Sequence, residues 1–235
     1  MNNRRWHGSA DTVPDMSPAV IRKQSVAPAE VVVGPGNAGL GQVLGDVLVG
    51  PRGFDPLAGY PAENFDPAAH GFSSAGEGLP VYAGTIGGTT WEGVPVDLFC
   101  VDIATATAEG CGYAGETWAA SGIAHLGSVA RVLAGSYPRT AEPVAANGDA
   151  QRAAAVQLAV WFFTDRVVVG SISPLFPLVA TIVSTVLATG PQAEPARRPI
   201  ARAATGTLLR YRPANPTQPN PTTAQRLILV RRKTR

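Results

Sequence analysis

The sequence predicts an α+β fold, and three observations carry that prediction. Strand-like segments separated by Gly/Pro turns occupy residues 29–103, three helical periodicities follow between 121 and 188, and two strand-like segments close the chain at 205–212 and 225–232.

Taken in order, residues 1–28 are polar and aperiodic and are expected to be a disordered leader. Strand character begins with Val31–Val33 and continues from Val43 to Val49, whereas residues 51–78, rich in Gly, Pro, Ala and Ser, read as long loops. It resumes at Pro80–Ile86 and Val94–Ile103, with Gly87–Gly93 as a hairpin-like connection. In the second of these, Val94, Val96, Leu98, Cys100 and Asp102 share one face, and Pro95, Asp97, Phe99, Val101 and Ile103 the other. Both faces are largely apolar, which predicts a covered, central strand with Cys100 inside.

The first helix is read from Ile123, Leu126, Ala130, Leu133 and Tyr137, with Ser121 as its N-cap and Pro138 as its stop. The second spans Asp149 to Thr164, and Ala153, Val156, Gln157, Val160, Trp161 and Thr164 make one stripe. The third starts near Pro174 and runs to Ala188, with Leu175, Val179, Ile182, Val183 and Val186 as its face. The uncharged stretch Val167–Thr189 has the look of a membrane span, but Pro174, Pro177 and several Ser, Thr and Gly residues favour a buried helix. An Asn/Pro/Thr-rich loop joins the two closing strands.

Composition narrows the function classes. With 235 residues and 45% hydrophobic content the chain can build a core. A net charge of +2 without a basic stripe argues against nucleic-acid binding. The first residues, Met1 to Gly8, carry charge without the apolar run of a secretory signal. Cys100 and Cys111 are too few for a disulfide framework, and with only His7, His70 and His125 no metal-ligand spacing is found; no cofactor is expected. The only lysines are Lys23 and Lys233. Arg, Ala, Gly and Pro bias fits a GC-rich genome, but it has a chemical consequence. Arg stays protonated, whereas a deprotonated Lys attacks acyl groups, so a domain poor in Lys spares its own acyl bonds.

Two residues stand out chemically. A buried Gln without partners costs about 1–3 kcal/mol, so something must satisfy Gln157. Backbone hydrogen bonds would suffice for the amide, and an interior Cys is ordinarily a small hydrophobe. A thiol and a primary amide are also the two halves of an internal thioester, and the residues by themselves leave these readings open.

The runs Phe99-Cys100-Val101-Asp102 and Val156-Gln157-Leu158-Ala159-Val160-Trp161 resemble the two signature motifs of the thioester domains of Gram-positive surface adhesins. Tyr82–Thr85, the segment Gly122–Pro138 with its Tyr-Pro ending, and Asp149–Asp165 with its Phe-Thr-Asp ending are similar as well. The resemblance covers about residues 78–190. It implies a β-sheet lobe, barrel- or sandwich-like, and an α-helical lobe over about 119–190, with the thioester between them and the domain spanning 29–235. It also implies covalent adhesion. The Cys100 thiolate would displace ammonia from Gln157, and an amine on a host or neighbouring-cell surface protein would later attack the acyl carbon. Such a domain works once rather than as an enzyme, as a monomer on the cell surface, without metal, cofactor or nucleic acid. Asp102 would position or deprotonate a reacting group, or else only hold the strand end, and Trp161 would pack over the bond in a binding role.

Two other readings remain open from the residues. One is a non-covalent binding module of the same fold without the bond. The other is a cysteine hydrolase or transferase pairing Cys100 with His125, although such nucleophiles commonly sit at helix N-termini rather than in strands. A Cys100–Cys111 disulfide would preclude the thioester.

Overall fold

In a computed structural model, which describes residues 31–75, 80–90, 92–104, 112–195, 208–212 and 226–230, the apolar segments of the first half pair as antiparallel strands. The leader expected over residues 1–28, and Cys111, lie outside the described residues. In chain order the strands are β1 (Val31–Leu44), β2 (Val47–Val49), β3 (Ser73–Ser74), β4 (Val81–Thr90), β5 (Pro95–Cys100), β6 (Gly112–Glu116), β7 (Val167–Val169), β8 (Leu208–Arg212) and β9 (Arg226–Val230). The helices are α1 (Trp118–Ser121), α2 (Leu126–Gly135), α3 (Asp149–Asp165) and α4 (Phe176–Thr189). The fold is α+β, as the sequence predicts.

Six strands order as β1-β4-β5-β9-β8-β6, and this sheet closes on itself as a barrel where Val31 and Val32 pair with Tyr113 and Gly112. The closing strands β8 and β9 are thus integral to the sheet. The segment read at Val31–Val33 is the start of a longer strand, since β1 runs on through two register shifts to Leu44, whereas the segment read as Val43–Val49 divides between the end of β1 and β2 of the second sheet. Gly41 faces Gly84 across the β1–β4 ladder. A Cβ on Gly84 would stand 2.6 Å from the Gly41 Cα, so this approach requires glycine. The expected connection Gly87–Gly93 is shorter than its composition suggests. Gly87 and Gly88 remain in β4, opposite Asp97 and Val96, and the turn is closed by Gly93 N–H donating to the Thr90 carbonyl at 2.8 Å.

β5 is the central strand that its two apolar faces predict. It pairs with β4 on one side and β9 on the other, and Val96, Leu98, Phe99 and Cys100 are all buried.

Among the helices, Ser121 is not the N-cap of the first long one. It ends the short α1, where its hydroxyl donates to Trp118 O at 2.7 Å and accepts Ile123 N–H at 3.1 Å. Gly122 then turns left-handed at φ 67°, and α2 starts only at Leu126. The helix α3 also differs from a one-striped surface helix: every residue from Ala153 to Phe163 is buried. It is enclosed by the sheet, α2, α4 and β7, which is the packing expected of a helix apolar on all sides.

The Val167–Thr189 stretch divides into β7, which pairs with β2 in a small second sheet completed by β3, and the buried-faced α4. Among the described residues no helix is long and apolar enough to cross a membrane. Part of the loop region 51–78 is ordered by aromatic packing. Phe54 and Tyr60 stack on Phe162 with ring centroids 5.9 and 5.1 Å apart, and Val169 N–H donates to the Tyr60 hydroxyl at 3.2 Å.

Candidate functional site

Cys100 is the last residue of β5, and Gln157 lies in the middle of α3 where that helix crosses the strand end. Both are buried, at 5% and 1% exposure. The two residues meet directly. Cys100 N–H donates to Gln157 Oε1 at 3.0 Å, and Gln157 Nε2 donates to the Cys100 carbonyl at 2.8 Å. The amide is thereby satisfied by backbone groups, and both groups belong to the cysteine. The sulfur is held by the next turn of chain: Cys100 Sγ donates to the Asp102 carbonyl at 2.8 Å, and Asp102 N–H approaches Sγ at 3.4 Å.

The Asp102 carboxylate turns the other way, with Oδ1 accepting Ala104 N–H at 2.9 Å. This is a short Asx-type turn at the strand end. Trp161, one helical turn beyond Gln157, is 3% exposed, and its indole N–H is buried without a hydrogen-bond partner among the described residues. It lies four residues after Gln157, on the same side of α3.

His125 is the N-cap of α2, in a left-handed conformation at φ 56°. It lines a separate cavity of about 300 Å³ with Arg52, Phe54, Phe163, Thr164 and Arg166, and Cys100 is not part of that lining.

One residue escapes the sequence reading. Asp165, the last residue of α3, accepts the Thr164 hydroxyl at 2.8 Å and the N–H of Ile103, three residues past the cysteine. Its carboxyl is pushed up to about 6, chiefly by burial, with the charge of Asp102 adding to the shift; Thr164, Ile103 and Arg166 act against it. No periodicity marks this position, since the Thr-Asp ending of a helix is by itself an ordinary polar terminus.

Residues 97–201 match the family model described as TED, thioester domain. Over that stretch the chain is similar to thioester domains. The match takes in Cys100, Gln157 and all four helices, and stops short of β8 and β9. Among curated proteins none matches the chain in sequence. Among solved structures, the N-terminal domain of the Streptococcus pyogenes pilus tip adhesin Cpa is similar at 12% identity and a TM-score of 0.39, covering 82% of this chain and 97% of that one.

Proposed function

We propose that this is a covalent adhesion domain in which Cys100 and Gln157 form an internal thioester that captures an amine on a target surface. The observation that carries the reading is the two-point pairing of the Gln157 carboxamide with the Cys100 main chain, at 3.0 and 2.8 Å.

That pairing suits the chemistry at each end of the amide. As the Cys100 thiolate adds to Gln157 Cδ, negative charge develops on Oε1, where the Cys100 N–H already points. The Cδ–Nε2 bond then breaks, the thiol proton leaves with the nitrogen, and ammonia departs. In the second stage an amine adds to Cδ, the C–S bond breaks with its electron pair on sulfur, and the amine's proton passes to the thiolate. The products are a secondary amide to the target and a regenerated thiol. Enclosure of both residues keeps bulk water from the acyl carbon until the nucleophile enters. Asp102 serves here through its main chain, which brackets the sulfur, rather than as a general base.

A lysine side chain on a host or neighbouring-cell protein is the fitting partner, and the reaction occurs once per molecule. The cell surface is the location this role requires. Intact-mass measurement of the folded protein tests the proposal. The untreated chain should be lighter than its sequence by one ammonia, methylamine should add its own mass, and Cys100→Ala or Gln157→Ala should each abolish both effects. An unmodified mass in the untreated, folded protein would refute it.

That outcome would favour a non-covalent module, which one observation supports in its own right: the buried amide is already satisfied at both ends without any bond to sulfur. The cysteine-hydrolase reading lacks such support, since Cys100 ends a strand and His125 faces a different cavity.

A further inference from the structure

Helix α3 grips the cysteine segment twice. Gln157 pairs with Cys100, and eight residues later Asp165 accepts the N–H of Ile103. Both ties come from the same helix, so α3 holds the segment from Cys100 to Ile103 at each end of its turn. Between the two ties lies Asp102, whose carbonyl accepts the Cys100 thiol. Asp165 is therefore the anchor that keeps the sulfur-bracketing turn against the helix bearing the acyl group. Its position is electrostatically poor for an anion. It lies at the negative end of the α3 dipole and beside Asp102, with Arg166 as the opposing charge among the described residues.

We propose that Asp165 is a positioning residue for acyl transfer: through Ile103 it holds the turn from Cys100 to Ile103, and acquiring its negative charge slows departure of the thiolate. This rests on the thioester reading above. When a neutral amine adds to Gln157 Cδ and the C–S bond breaks, the electron pair moves to Cys100 Sγ before the amine's proton follows. A further anion about 10 Å away, in a partly shielded setting, opposes that charge by enough to slow the step about five- to tenfold.

The carboxyl titrates inside an accessible range, being pushed up to about 6 by burial, so the effect can be read as a pH profile. The probe is methoxyamine, a weakly basic nucleophile, with rates expressed per uncharged amine at each pH, and intact mass follows its incorporation. Hydrolysis without nucleophile is subtracted. From about pH 5 to 8 the wild-type rate should fall about five- to tenfold. Asp165→Asn, which still accepts the Ile103 N–H but carries no charge, should keep the wild-type low-pH rate throughout. Asp165→Ala, which loses the tie, should be slower at every pH. A wild-type profile without the fall, or an Asn variant that retains it, overturns the proposal. Absence of the ammonia deficit in the untreated wild type is a separate failure, that of the thioester reading itself, and takes this proposal down with it.

Discussion

The same carboxyl makes a quantitative claim about stability. Burial pushes Asp165 up from 3.8 to about 6 in the folded protein, while in the unfolded chain it returns to the ordinary value. Between those two values the folded state holds a proton that the unfolded state has released. Stability must therefore fall as pH rises through this window, and the penalty is complete above about pH 6. About two units correspond to about 3 kcal/mol as a ceiling; because the side chain keeps some contact with water, about 1–2 kcal/mol is the realistic size. Asp165→Asn removes the ionisation while its Oδ1 can still accept the Ile103 N–H and its Nδ2 can donate to the Thr164 hydroxyl oxygen. Urea unfolding of both proteins after methylamine treatment, so that no crosslink constrains the unfolded chain, gives the comparison. The variant should match the wild type near pH 4 and exceed it by about 1–2 kcal/mol near pH 8. An equal difference at both pH values, or a variant less stable at pH 8, would show that burial is not what governs this group.

Three structural perturbations should behave as follows. Trp161→Phe removes an N–H that has no partner among the described residues, so in thermal unfolding it should cost under about 1 kcal/mol, against about 3–5 kcal/mol for Trp161→Ala. Phe162→Ala, which removes the ring shared by Phe54, Tyr60 and Phe163, should cost about 3–5 kcal/mol and make the 51–75 segment accessible to limited proteolysis. Gly84→Val places its side chain against the Gly41 backbone, and should lower soluble yield and melting temperature far more than Gly45→Val, where space is open.

How much of this was legible beforehand depends on the range of the signal. β5 was readable because two apolar faces in alternation require neighbours on both sides, and β4 and β9 supply them. The apolar stripe of α4 was equally readable, since Leu175, Val179, Ile182, Val183 and Val186 are all buried. By contrast, β7 is three valines whose identity as a strand depends on β2, more than a hundred residues away; in isolation they merge with the apolar run that follows. Ser121 reads as a helix start because serine followed by a periodic apolar run is also what a one-turn helix ending at a left-handed glycine looks like. The enclosure of α3 is hidden for a related reason: Ala154, Ala155 and Ala159 lie off the apolar stripe, yet all three are buried and their small side chains allow close packing on every side.

The site divides along the same line. Cys100 and Gln157 could be singled out because each is chemically conspicuous in an apolar setting, and the structure does bring them together. Asp165 is polar at a helix end, where polar residues are commonplace, and acquires significance only because the strand end carrying Ile103 and Asp102 is folded against it. Asp102 was conspicuous for the opposite reason: adjacency to the cysteine in sequence drew attention to its carboxylate, while the fold uses its carbonyl and N–H on the sulfur and turns the carboxylate toward Ala104. This contrast has a testable edge. Asp102→Asn retains the main chain and an acceptor for Ala104 N–H, so it should leave the ammonia deficit intact and, by removing the like charge, move the Asp165 titration downward toward the ordinary carboxylate range. If Asp102→Asn instead abolishes thioester formation, the carboxylate itself takes part in the chemistry, and the main-chain account of this residue is wrong.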